Sequence, residues 1–184
     1  MPAVLPAIIA EYHRYKALAD RALAQLDEDQ LAEPALGGGN SVAVLAWHVG
    51  GNLASRFTDF LTSDGEKPWR HRDQEFAARR PSRAELQAHW DRGWSVLFAA
   101  LAELRESDLD RTVTIRGTEL SVVEALHRSL AHTAYHVGQM VMLARSLRGD
   151  AWEFLSIPPG GTAAYNAQPT SERADEHARR LEEG

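Results

Sequence analysis

His132-Thr133-Ala134-Tyr135-His136-Val137-Gly138-Gln139 is the stretch on which the reading of this chain turns. On a helix, residues four apart lie about 40° apart around the axis and roughly 6 Å apart along it. Both imidazoles can therefore aim at one point, as a metal ion requires of two ligands on one element. The surrounding helix is apolar on more than one side. Leu126, Leu130, Val137 and Val141 form one stripe, and Met140 and Leu143 fall near the histidine side. Such a helix is a buried one, so the fold must be built around it. A third histidine, His48, sits in an earlier helical run, Ala46-Trp47-His48-Val49-Gly50-Gly51-Asn52. We expect His48, His132 and His136 to close on one metal ion.

Composition narrows the chemistry. At 184 residues the chain suits one domain with a real core. A net charge of −6 and the lack of a basic stripe with interleaved aromatics speak against a nucleic-acid partner. There are no cysteines, which excludes disulfides, thiolate metal sites and a protein thiol nucleophile. Metal ligands must then be histidine or carboxylate. No apolar run approaches ~18 residues, so no membrane span is expected. Met1-Pro2-Ala3-Val4-Leu5-Pro6 lacks the basic and apolar blocks of a signal peptide, and the cytoplasm is the expected compartment.

Working outward, apolar positions at helical period predict a first helix over about 3–29, before Pro34 and Gly37-Gly38-Gly39 break the chain. A second, opened by Asn40 or Ser41, repeats Val42, Leu45, Val49, Leu53, Phe57 and Phe60 and stops around 63–65. Residues 64–81 read as one long charged loop whose Trp69 and Phe76 would prefer burial. Ser82 with Glu85 opens a third helix through Leu104, and Ser121 with Glu124 opens a fourth that runs to about Leu147, ended by Gly149. Between them, the alternation in Arg111–Arg116 followed by Gly117 predicts a short strand or half of a small hairpin. The expected fold is all-α, an antiparallel four-helix bundle with a small β-hairpin or short strand before the last helix. The whole chain, 1–184, is read as a single domain, with 158–184 as a non-core tail whose charged end, 171–184, is mobile or a solvated helix.

The spacing of His132 and His136 by itself is weak, because satisfied core histidines recur at this interval. The surroundings strengthen it. His48 continues through Asn52, Ser55 and Asp59 as a polar line, and Ser129 and Gln139 extend the face of the other pair. Two such lines off an apolar core suggest a wet pocket between helices; the plainer account is that they face solvent. Three neutral nitrogen ligands leave zinc, nickel, iron and manganese all open, with the remaining position free for water or substrate. His13, His71, His89, His127 and His177 read as background. Arg70 and Arg72 could grip an anionic substrate, but the charges of their loop balance and a structural network is favoured.

With those residues in place, the chain resembles the DinB-like (YfiT-like) superfamily of metal-binding four-helix bundles, whose three-histidine triad corresponds to His48, His132 and His136. Within it, the chain is similar to a branch of small bacterial proteins. The resemblance is carried by Asn40-Ser41, Gly50-Gly51-Asn52-Leu53-Ala54-Ser55-Arg56-Phe57-Thr58-Asp59-Phe60, Asp64-Gly65-Glu66-Lys67-Pro68-Trp69-Arg70, Arg72-Asp73, Glu75-Phe76, Tyr135-His136-Val137-Gly138-Gln139 and Leu155-Ser156-Ile157-Pro158. His71 departs from the pattern, where an acidic residue is expected.

The resemblance implies a divalent metal, frequently a homodimer, and relatives that include thiol-dependent enzymes. It thus points to a metal-dependent enzyme, in the first place an S-transferase in which a low-molecular-weight thiol attacks an electrophilic small molecule. Metal-assisted hydrolysis and a non-catalytic, metal-binding stress-response role are the alternatives. Asn52, Arg56, Gln139 and Tyr135 are the residues expected to touch substrate or brace the ligands.

Overall fold

Serines open three of the four long helices. Ser41 Oγ accepts from the amide of Val44, while Ser82 with Glu85 and Ser121 with Glu124 form reciprocal capping boxes. The resulting elements in the computed structural model, which describes residues 3–35 and 37–183, are α1 (Val4–Ala24), α2 (Glu28–Ala32), α3 (Val42–Phe57), α4 (Arg72–Glu75), α5 (Arg83–Glu103), β1 (Thr112–Ile115), β2 (Thr118–Ser121), α6 (Val122–Arg148), α7 (Thr162–Ala167) and α8 (Ala174–Glu183). The start of α1 has no side-chain cap of its own, and the carboxylate of Glu106, just after α5, accepts from the Leu5 amide at 2.9 Å instead. The fold is mostly helical with one two-stranded antiparallel hairpin.

α3 lies at the centre, packed against α5 and α6, and α1 packs against α6 and α8. The α3–α5 crossing is closed by glycine: a Cβ on Gly93 would stand 2.7 Å from the Cα of Gly50, so neither helix can add a side chain there. Tyr12, Trp90 and Trp94 fill the core with no exposed surface, and their polar ends are answered unevenly. The Tyr12 hydroxyl donates to the Leu126 carbonyl at 3.0 Å and the Trp90 indole to Asp20 at 2.7 Å, but Trp94 Nε1 has no partner among the described residues.

The hairpin turn, Arg116-Gly117, has positive φ at both residues, 55° and 73°, as a two-residue turn of the type that matches strand twist requires. Asp64 pins it by accepting from the amides of Arg116 and Gly117, both at 2.8 Å. The Asp64–Arg70 string is thus tied to the hairpin by Asp64, by the Gly65 amide, which donates to the Thr114 carbonyl at 2.8 Å, and by Glu66, which pairs with Arg116 at 3.1 Å.

Several boundaries differ from those expected. The first helix ends at Ala24, because Asp27 and Gln30 form a capping box that starts the separate α2. The second ends at Phe57, where Thr58 turns extended and Asp59 takes a left-handed φ of 49°; Phe60 is buried without being helical. The 64–81 loop contains the helical turn α4, and Trp69, expected to be buried, is 48% exposed. The expectation that 158–184 stands outside the core needs correcting at its end. α8 packs on α1, buries Ala178 and Leu181 in the core, and is anchored by His177, whose Nε2 lies 2.9 Å from the Leu155 carbonyl oxygen. Its apolar positions are too few to stand out in so charged a sequence. No helix among the described residues is long and apolar enough to cross a membrane.

Candidate metal centre

The centre forms where α3 meets α6. His132 and His136, one turn apart on α6, have ring centroids 4.6 Å apart; the His48 ring on α3 lies 5.2 Å from the first and 4.9 Å from the second. One ligand atom from each of the three histidines lies within 4.8 Å of the other two, so the group could hold a metal ion. His48 Nε2 and His132 Nε2 face each other at 3.1 Å. Two imidazole nitrogens bound tetrahedrally at 2.0–2.1 Å would sit roughly 3.3 Å apart, so this spacing suits a shared cation.

The ring nitrogens turned away from that point say which tautomers are set. His48 Nδ1 lies 2.8 Å from Glu75 Oε2, so its N–H donates outward to the carboxylate and the lone pair on Nε2 faces His132. Gln139 Oε1 does the same for His136, at 2.9 Å from Nδ1. Carboxylate or carbonyl acceptors behind histidine ligands orient the ring and raise its basicity. His132 has no such acceptor: its Nδ1 is buried and without a partner among the described residues.

Behind Glu75 stands Arg70, which donates from Nε at 2.9 Å and from Nη2 at 2.8 Å, a two-point pair almost wholly out of solvent. Gly51 makes room for it, since a Cβ there would lie 3.0 Å from the Glu75 carboxyl carbon. Phe76 covers His48 with its ring centroid 4.4 Å away. Burial pushes the Glu75 carboxyl up, but the hydrogen bonds from His48 and Arg70 outweigh it and hold the group below the usual carboxylate range. On the other helix, burial and then the neighbouring histidines push His132 down to about 3. Burial lowers His136 as well, against the hydrogen bond it donates to Gln139. Burial that disfavours the charged forms of His132 and His136, with the His48 lone pair turned towards His132, suits the binding of a divalent ion.

The family described as "Protein of unknown function (DUF1572)" matches residues 3–161. The chain belongs to the DUF1572 family. No curated protein and no solved structure matches it. The DUF1572 span takes in the three histidines, the Arg70–Glu75 pair and the hairpin, and it ends before α7 and α8.

A cavity of about 160 Å³ adjoins the triad within that span, lined by residues that include His48, His132, Asn52, Arg56 and Phe60. Asn52 is buried and its carboxamide makes no hydrogen bond among the described residues. Arg56 donates to Glu66 at 3.0 Å and to the Gly65 carbonyl. Gln139 braces His136 as described, whereas Tyr135 stands beside the centre, 64% exposed with its ring 5.1 Å from that of His136. Ser55, third in the polar line from His48, donates to the Gly65 carbonyl at 2.8 Å and so holds the loop rather than the pocket. Sequence reasoning missed Glu75 as the partner of His48. Its signals were an acid inside a long charged loop and a place in the pattern that carries the resemblance, and neither says which histidine such an acid meets. His71 and His127 are exposed, and His89 stacks on Trp47 at 3.9 Å.

Proposed function

We propose that this chain is a divalent-metal-dependent enzyme of the DinB-like kind, with α1, α3, α5 and α6 as its antiparallel bundle and His48, His132 and His136 as its metal ligands. The observation that carries the proposal is the inward-facing His48 Nε2, set by Glu75 behind it and opposed by His132 Nε2 at 3.1 Å, at the edge of a cavity. A divalent ion held there would supply a Lewis acid that lowers the pKa of a thiol or water beside the cavity. Our reading of the reaction is transfer of a low-molecular-weight thiol. The thiol proton leaves to solvent, sulfur bonds to an electrophilic carbon, and the leaving group departs with its electron pair.

The chain's own residues divide the work. Glu75 and Arg70 fix the His48 ring, Gln139 fixes His136, and Asn52 and Arg56 line the space for the small-molecule substrate. Hydrolysis is the second reading, and the cavity wall disfavours it. Its lining residues include no carboxylate to serve as a base for water, and Glu75 is engaged on both oxygens. A purely structural metal would need no adjoining cavity. We also propose that the protein acts as a homodimer, as the resemblance implies.

Elemental analysis of the purified protein and of His132→Ala is the first test. We expect about one equivalent of a divalent metal, lost in the variant, and a thiol-dependent change in the visible spectrum after cobalt substitution. Absence of metal from the wild type even after reconstitution would remove the whole reading. Metal without a thiol response would leave a metal protein and remove the transferase.

A further inference from the structure

The wall of the cavity beside the histidines is cationic in a chain whose net charge is −6. Arg56, Arg70, Arg72, Arg116 and Arg128 all line it, and no aspartate or glutamate does. Glu66 answers Arg56 at 3.0 Å and Arg116 at 3.1 Å, and Glu75 answers Arg70. That leaves Arg72 and Arg128. Arg72 lies over the Phe76 ring at 5.0 Å, and its nearest carboxylate, Asp73, is 3.9 Å away in solvent. Arg128, on α6 one turn before His132, makes no hydrogen bond or ion pair among the described residues.

Donors are also left over deeper in the wall. Arg70 has only 2% of its side chain exposed, yet its Nη1 has no hydrogen-bond partner among the described residues, and Glu66 Oε2 stands 3.9 Å off. Leaving a buried guanidinium nitrogen unsatisfied is costly. The free Asn52 carboxamide offers a further donor. A cationic occupant would be repelled by these groups, and a neutral oxygen would answer them with weaker bonds and leave the guanidinium charge unpaired. An oxyanion answers them with the short, charge-assisted bonds that guanidinium groups form best.

We propose that the cavity takes a small molecule bearing a carboxylate or phosphate group, seated by Arg72 and Arg128 at the mouth with Arg70 and Asn52 behind. The proposal rests on the reading of this cavity as the substrate site, and it names the substrate's chemical class. A volume of about 160 Å³ has room for such a head group. The field of the arginines also draws anions towards the histidines.

The test titrates the full chain, chelator-treated and zinc-loaded in parallel, with succinate, with inorganic phosphate and with the neutral succinamide, by calorimetry at low and raised salt. Wild type should bind succinate or phosphate saturably, the two arms telling carboxylate from phosphate, and should ignore succinamide. The Arg72→Gln/Arg128→Gln double variant alters exposed side chains only and should fold as wild type by circular dichroism. It should bind the anion about tenfold or more weakly, the loss of at least one charge-assisted contact. Raised salt should weaken binding to wild type by screening the mouth. Failure of both anions in both protein forms, or equal affinity of the double variant, would overturn the proposal. Binding only to a polyanion such as heparin would overturn it too. Anion binding by a protein that takes up no zinc would instead defeat the metal reading alone, whereas zinc uptake without anion binding would defeat this one alone.

Discussion

His48 and His132 face each other across 3.1 Å, yet the chain holds them by opposite means. His48 sits on a helix rich in small residues and is aimed from outside by Glu75, Arg70 and Phe76, all contributed by the loop that follows α3. His132 Nδ1 has no hydrogen-bond partner among the described residues, and the register of α6 places the ring, with His136 one turn on. One half of the centre is a network and the other is a helical period. The network side should therefore be brittle to single substitutions, while the helix side should respond mainly to loss of a ligand.

Glu75→Ala should give the largest effect on the brace. It removes the acceptor of His48 and strands the buried Arg70 charge, and breaking a buried pair from one side costs about 3–5 kcal/mol. Metal affinity should fall by about 10–100-fold as the His48 ring is released. Denaturant unfolding and metal competition by a chelator read the two effects separately. A variant as stable as wild type with unchanged affinity would show that the loop does not hold His48.

Gly51→Ala should do less and act on the same link. The new methyl would press on the Glu75 carboxylate, which can give way only by loosening its bonds to Arg70 and His48. We expect a loss of stability of about 1–3 kcal/mol, as for a tight core overfilled by one methyl, and weaker metal binding in the same chelator assay. Weakened stability with unaltered metal affinity would mean that the carboxylate moves without taking the ring with it.

This contrast also explains what could be read from sequence. The α6 half was legible because a period of four on an apolar helix is a local fact, and so were the serine caps that fix where α3, α5 and α6 begin. The turn at Arg116-Gly117 was visible through its glycine. Glu75 was not, since its meeting with His48 spans 27 residues of sequence and depends on where a loop folds back. Arg128 was missed for another reason. An arginine on the polar side of a helix reads as solvated, and only the fold shows that Arg56, Arg70, Arg72 and Arg116 converge on the same cavity. The burial of α8 was equally hidden, because Ala178 and Leu181 become core only against the particular face that α1 presents.

The unbraced histidine should show itself through pH in chelator-treated protein. His132 is lowered from the ordinary value of 6.5 to about 3, so between those values the unfolded chain binds a proton that the folded chain refuses. Stability must then fall as pH drops below 6.5 and keep falling until the folded group titrates near 3. Glu75 acts in the same direction at lower pH, because its depressed carboxyl contributes stability that is lost as it protonates. Thermal midpoints at neutral and mildly acidic pH, compared with those of His132→Asn, isolate the histidine: the variant should lose less on acidification. Parallel curves would show that His132 is not the group that resists the proton.

Gln139→Ala should give the smallest change and is the sharpest probe of the asymmetry. Gln139 accepts from His136 at 2.9 Å but lies on the same helix, three residues on, and carries no buried partner behind it. Its removal deletes one neutral hydrogen bond, worth about 0.5–1.5 kcal/mol, and leaves α6 in register. Metal affinity should therefore fall by about tenfold at most, at the lower edge of what bracing residues contribute. If the loss instead equals that of Glu75→Ala, ring orientation on α6 depends on side-chain bracing as much as on helical period. The two halves of the centre would then be held alike, and the missing partner of His132 Nδ1 would become the feature that needs explaining.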